Sequence, residues 1–258
     1  MTEPSDSSAF YVGYLPTPRP LVRFLRVFVP VTLWTLATVA TLISATATDP
    51  GPAVWNDGRA QTFRGTLVRW PYPMLIERGG SHDGSENAAR SARLLIETGK
   101  RGVSRPLDAL DGRPVVISGW TLERSGQRMV ELEPDAAALA ADERAAAPDL
   151  GKPVPLGMVT LRGEIVDSKC YLGAMKPGNE KPHKACATLC IRGGVPPVLI
   201  ERDADGTTRA TLLADAGGGP LGAEAWEYVA DPIEIRGELE TWAGIRRLRV
   251  TPGSIRRL

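Results

Sequence analysis

The hydrophobic pattern along the chain changes its period near residue 50. From Val27 to Ala47 the run VFVPVTLWTLATVATLISATA carries no charged side chain and has no polar face. At 1.5 Å rise per residue it spans roughly 30 Å, the thickness of a bilayer hydrocarbon core, which predicts one transmembrane helix at 27–47. Thr and Ala on all sides do not make the apolar stripe of a helix packed on a soluble core. Pro30 then falls in the first turn, where its missing N–H has no partner to lose. Arg19, Arg23 and Arg26 precede the run and Asp49 follows it. The positive-inside rule therefore places the segment 1–26 in the cytoplasm and everything after the helix on the far side. Ala45-Thr46-Ala47 also resembles a signal-peptidase site, but the apolar run is longer, and starts later, than in an ordinary signal peptide. Both readings deliver the rest of the chain to the periplasmic face of a bacterial inner (cytoplasmic) membrane.

After residue 50 the pattern becomes short runs, alternating or wholly apolar, cut by Gly, Pro and Asp. In the first half these strand-like runs fall at about 61–70, 73–78, 92–98, 114–124 and 127–133. They recur in the second half. Arg64-Gly65-Thr66-Leu67-Val68 corresponds to Arg162-Gly163-Glu164-Ile165-Val166, and Pro73-Met74-Leu75-Ile76-Glu77-Arg78 to Pro197-Val198-Leu199-Ile200-Glu201-Arg202. Pro114, Gly119 and Gly126 return as Pro232, Gly237 and Gly244 with the same spacing. Such self-similarity sets the domain count. Five strands, with a helical stretch before the fourth, fit a small closed barrel. The predicted fold class is thus mainly β: the transmembrane helix, then two tandem OB-like barrels at 58–134 and 157–258. Gly119 and Gly237 fall where a strand must bend around a barrel corner, which a residue without Cβ permits. A β-sandwich or an open twisted sheet fits the same pattern. The Ala-, Asp- and Glu-rich stretch 135–156 reads as a helical or loosely ordered linker.

The halves differ in one place. Nine positions separate Arg64 from Pro73, but 35 separate Arg162 from Pro197. The second half therefore carries an insertion, 169–195, between its first two strands. It holds all three cysteines and one of the two histidines. Pro182 ahead and Gly193-Gly194 behind predict a short helix over 183–191. His183, Cys186 and Cys190 then share one helix face, and the Gly/Pro loop can fold Cys170 over it. Thiolates and a neutral imidazole are donors for borderline and soft transition metals, zinc or copper. Cys170, His183, Cys186 and Cys190 are accordingly the candidate metal ligands, and Met175 could add a thioether. In an oxidising compartment Cys170 can instead pair with Cys186 or Cys190 in a structural disulfide. A Cys186–Cys190 bond within one helix lacks relaxed geometry. Any disulfide leaves one thiol beside His183 without a structural purpose.

The string Cys170-Tyr171-Leu172-Gly173, followed by His183-x2-Cys186-x3-Cys190-Ile191-x-Gly193-Gly194-x-Pro196, resembles a group of uncharacterised exported or membrane-anchored bacterial proteins with the same spaced cluster. No activity is attached to that group, so the resemblance supports the motif as a unit and implies no reaction. The haem-binding motif of the tethered OB-type haem chaperone of cytochrome maturation is not matched.

Other features narrow the function classes. Thirty-one basic residues against 30 acidic ones leave no global field for nucleic acid. Arg246, Arg247, Arg249, Arg256 and Arg257 make the last strand and tail basic, better suited to a solvated face, lipid headgroups or a partner. No P-loop, HExxH or CxxCH occurs, which removes nucleotide hydrolysis, zinc proteolysis and c-type haem attachment as first readings. Ser81-His82-Asp83 are neighbours in sequence and cannot form a Ser–His–Asp chain of hydrogen bonds; they read as a loop. Trp70-Pro71-Tyr72-Pro73 and Trp242 read as packing aromatics before an aromatic platform. The expected function is a membrane-tethered periplasmic metal-binding or redox accessory protein, the subunit or assembly partner of a membrane oxidoreductase system with a membrane-bound redox protein as its partner, and whether it is also an enzyme stays open. The alternative is a non-catalytic protein-binding scaffold with a structural disulfide in the insertion. A thiol enzyme with His183 as its base is the third reading.

Overall fold

The computed structural model of the protein describes residues 17–46, 52–77, 90–146 and 150–258. They fall into two units that divide after Asp49. Most of the segment 1–26, Ala47 at the foot of the apolar run, and Ser81, His82 and Asp83 lie outside the described residues.

The first unit contains helix α1 (Arg19–Thr46), which is long and apolar enough to cross a membrane and buries none of its residues. Its threonines suit that surface. Thr35, Thr38, Thr41 and Thr46 each donate their hydroxyl to the carbonyl four residues back, at 2.8–2.9 Å. A helix of this kind presents methyl groups outward and hides its polar atoms. The helix begins eight residues before the apolar run, so Pro30 is interior rather than in the first turn. That corrects the expectation: Pro30 removes one bond of the helical ladder, a loss that apolar helices of this length tolerate.

The second unit is two sheets. The first has seven strands: β1 (Ala53–Val68), β2 (Met74–Glu77), β3 (Ser91–Glu97), β4 (Arg101–Gly102), β5 (Pro114–Arg124), β6 (Gln127–Leu132) and β7 (Leu139–Ala141). The second has six: β8 (Val154–Asp167), β9 (Pro197–Arg202), β10 (Thr208–Ala214), β11 (Pro232–Trp242), β12 (Ile245–Val250) and β13 (Arg256–Arg257). The repeat seen in the sequence is a repeat of pairing. In the first sheet β1–β2, β2–β3, β6–β5 and β5–β1 are antiparallel and β3–β6 is parallel. In the second, β8–β9, β9–β10, β12–β11 and β11–β8 are antiparallel and β10–β12 is parallel.

The linker expectation needs one correction. Residues 136–138 make a 3₁₀ turn capped by the Asp135 side chain, and β7 follows by pairing with β5. Burial of Ala138 and Leu139 draws this part of the stretch onto the first sheet. The helical stretch expected before the fourth strand is a three-residue 3₁₀ turn in the first half (Asp108–Leu110) and a six-residue one in the second (Ala223–Tyr228).

Three apolar clusters hold the unit together. Leu67, Leu75, Leu95, Val115, Ile117, Val130 and Leu132 fill the first sheet's own interior. Ile165, Leu199, Leu213, Ile233, Ile235 and Leu248 fill that of the second, with Ala187 and Ile191 of the insertion. The third cluster joins the halves: Met74, Ile76, Leu94 and Ile96 from one side meet Val198, Ile200, Ala210 and Leu212 from the other, around Cys170, Tyr171 and Leu172. Alternate residues of β2, β3, β9 and β10 thus go to a private core and to the shared one. Strands buried on both faces must read as unbroken apolar runs, which explains Met-Leu-Ile, Leu-Leu-Ile, Val-Leu-Ile and Leu-Leu-Ala.

Gly119 and Gly237 mark equivalent close strand approaches in the two halves. A Cβ on Gly119 would lie 2.1 Å from the Glu131 carbonyl oxygen, and one on Gly237 2.3 Å from that of Arg249. Gly119→Ala and Gly237→Ala are each expected to destabilise by about 1–3 kcal/mol, the usual cost of forcing extra atoms into packed structure. Urea unfolding of the detergent-solubilised chain measures this; midpoints equal to wild type would show that these crossings have slack.

Candidate metal centre

The insertion starts where β8 ends. Asp167 turns its Oδ1 onto the backbone N–H of Cys170 at 2.8 Å, capping the wide turn Cys170–Ala174. A 3₁₀ turn, Lys181–His183, leads into helix α2 (Lys184–Arg192). The helix predicted at 183–191 therefore begins one residue later, with His183 at its N-cap. It is closed by Gly193 and Gly194, whose N–H groups reach the carbonyls of Leu189 and Ile191 at 3.0 and 2.9 Å. Gly194 has φ +94°, the left-handed conformation that glycine supplies at a helix end.

This folding brings the donors together in two overlapping groups. One donor atom each from Cys170, His183 and Cys186 lie within 4.8 Å of one another, and so do donors of Asp167, Cys170 and Cys190. Cys170 belongs to both. Cys190 thus adjoins the first group through Cys170 rather than standing as its fourth member. All three cysteines are free; Cys170 and Cys190 are buried and Cys186 partly exposed. Met175 is 50% exposed.

His183 is buried at 6% exposure, and its Nε2 lies 3.0 Å from Oδ2 of the fully buried Asp167. Opposite a carboxylate Nε2 is the donor, and in the neutral ring Nδ1 is then the nitrogen with a lone pair to offer. Carboxylate, imidazole and metal in that order is how proteins orient a ligating histidine. Among the sulfurs, the Cys170 thiol donates to Cys190, an arrangement that raises the Cys170 pKa, with burial adding to it. The same bond lowers the Cys190 pKa. Lys100 brings its Nζ to 2.6 Å from the Cys186 sulfur, which favours its charged form, and the nearby sulfurs of Cys190 and Cys170 add to the effect. The cluster can hold a metal ion: it offers sulfur, nitrogen and oxygen donors in one place, with a cation and N–H groups to stabilise their anionic forms.

The first half builds much of this site. Lys100 lies between β3 and β4. Gly102 N–H bonds the Gly193 carbonyl at 2.9 Å, and a Cβ on Gly193 would sit 2.0 Å from the Lys100 carbonyl oxygen, so the two backbones meet with no room for a side chain. Lys169, beside Cys170, sends Nζ to Glu131 and to the Gly99 carbonyl at 3.0 and 2.8 Å. Arg124, 3% exposed at the end of β5, donates to the carbonyls of Tyr171 and Pro177 at 3.0 and 2.9 Å and stacks over the Tyr171 ring.

Asp167, Lys100, Lys169 and Arg124 were not among the sequence-derived site residues. Asp167 had a local signal, an Asp three residues before a helical turn, which is capping spacing. The other three act across the halves and leave no mark in the local pattern. Of the aromatic residues, Tyr72 is buried with its hydroxyl accepting from Leu221 N–H at 2.8 Å, and the Trp242 indole donates to the Leu150 carbonyl at 3.0 Å. Both serve packing rather than an exposed platform. Comparison with protein-family models, curated proteins and solved structures finds no match to this chain.

Arg124→Ala would leave two carbonyls of the insertion without their buried partner. The substitution is expected to cost about 1–3 kcal/mol. Amide hydrogen exchange should accelerate selectively at 170–178, and uniform exchange across both sheets would show that Arg124 serves global folding instead.

Proposed function

We propose that the chain is a single-pass, membrane-tethered accessory protein that carries a transition-metal ion for a membrane-bound oxidoreductase system, on the periplasmic side of a bacterial inner membrane. The observation that carries this reading is the convergence of Cys170, His183 and Cys186, with Cys190 adjoining, backed by Asp167 on the imidazole. A structural staple needs two sulfurs and no histidine. Zinc and copper both suit thiolate and imidazole donors. Bound there, zinc would brace the insertion, whereas copper would add one-electron chemistry. The chain's own residues hold the donors in place, keep water from the buried sulfurs and supply the countercharge.

The rest of the molecule supports the same reading. In each sheet the pairing order returns to its first strand, β1 to β5 and β8 to β11, which fits two OB-like barrels closed on themselves. Arg19, Arg23 and Arg26 lie at the N-terminal end of α1, which favours a cytoplasmic N-terminus. A tether of this sort raises the effective concentration of the site near a membrane-bound partner without any new contact.

The hydrogen bond between the thiols of Cys170 and Cys190 favours one second reading, a disulfide that pins the insertion of a protein-binding scaffold. Metal analysis with thiol counting, on protein purified from membranes in detergent, separates the two. The expected result is stoichiometric metal with free thiols, a loss on Cys170→Ser, and an affinity weakened roughly 10- to 100-fold in Asp167→Asn, where the imidazole loses its orienting carboxylate. A Cys170 disulfide with no bound metal would defeat the metal reading.

A further inference from the structure

Lys100 comes from the first half, yet its ammonium lies against a sulfur of the second half's cluster. The charge of the donor set makes that placement consequential. The Asp167 carboxylate already has its donors, the Cys170 N–H and His183 Nε2–H. Three thiolates, one neutral imidazole and the adjoining Asp167 carboxylate already crowd negative charge into one place. On these donors a monovalent ion leaves one more negative charge than a divalent ion does, and Lys100 offsets only one. The monovalent ion matches the divalent one only by leaving one thiol protonated and uncoordinated. Cys170, Cys190 and His183 are buried, where uncompensated charge is expensive. Four nitrogen and sulfur donors also match the tetrahedral shell of zinc, whereas monovalent copper is satisfied by fewer thiolates.

We propose that Lys100 is a positioning residue that selects the ion: its ammonium and N–H···S bond to Cys186 tune the cluster for a divalent, zinc-class ion held by Cys170, Cys186, Cys190 and His183. On binding, each thiol releases its proton to solvent as its sulfur becomes a ligand, and the ammonium stays as countercharge outside the shell. Cys190 moves in from its place beside Cys170 to close the fourth position. The sheet that lacks the cysteines thereby governs what they bind. The inference rests on the metal-site reading and adds to it the class of ion.

The test uses the full-length chain in detergent micelles, titrated separately with Zn(II), Co(II) and Cu(I) against chromophoric chelators. Lys100 is exposed, so Lys100→Gln should fold, which circular dichroism checks. Wild type is expected to bind Zn(II), and its Co(II) form to show the charge-transfer absorption of three thiolates. Lys100→Gln should weaken Zn(II) roughly 10- to 100-fold, as loss of an outer-shell partner does, and Cu(I) much less. Lys100→Arg should restore most of the difference. Equal Zn(II) affinity in wild type and Lys100→Gln, or a Co(II) spectrum with fewer thiolates, overturns the inference and leaves the metal site standing. A wild-type chain that takes up none of the three ions overturns both.

Discussion

The structure depends on one constraint: the segment Cys170-Tyr171-Leu172 is packed between two sheets that each already have a core. Tyr171 and Leu172 are fully buried, and side chains of this size gain about 1.5–3 kcal/mol each by leaving water. That gain is earned only if strands β2, β3 and β6 of the first half lie against the insertion of the second. Packed interiors are stiff, so the backbone on either side of Tyr171 has little room to shift. The position of Cys170 follows from that, and with it the common member of both donor groups. The chemistry of the cluster is therefore set by hydrophobic packing between halves rather than by the loop itself.

Polar contacts then convert a packed seam into a specific one. Arg124, Lys169 and Lys100 all cross it, one to backbone carbonyls, one to a buried glutamate and one to sulfur. Exposed ion pairs would add little, but Lys169 and Glu131 are 8% and 4% exposed, and breaking one partner of such a pair strands the other. Gly102 and Gly193 work in the opposite way, through the absence of side chains, by letting two backbones touch. Each device fails if either half shifts along the other.

What could be read from the sequence follows the range of the forces involved. Strand positions were legible because a sheet imposes a period on its own residues, and the strand Pro114–Arg124 ends where its pattern does. The repeat was legible because equivalent strands face equivalent neighbours, down to Gly119 and Gly237. The unbroken apolar runs were seen, but the second buried face that causes them was not. A residue like Leu94 carries no sign of which surface covers it. The cysteines and His183 announced themselves by rarity and spacing. Lys100 and Arg124 did not, since an exposed-looking Lys and a strand-end Arg are commonplace until the partner half is in place. The extension of α1 to Arg19 was hidden for a different reason: arginine is a good helix former, so charge ends an apolar run without ending the helix.

The same asymmetry explains why only one half carries the insertion. In the first half the corresponding connection is short, and Tyr72 from it enters the shared cluster and accepts from the Leu221 N–H of the second half. That place at the seam is filled by an aromatic ring. Across from it the second half needs more chain to fill the remaining volume, and the insertion supplies it with Cys170, Tyr171, Leu172, Cys190 and Val195. Two insertions would compete for one seam, and none would leave a cavity lined by Met74, Leu94 and Leu122. The repeat offers two equivalent positions, but a single interface has room for one cluster, so the first half supplies what surrounds it: the ammonium, the guanidinium and the close-packed glycine backbone.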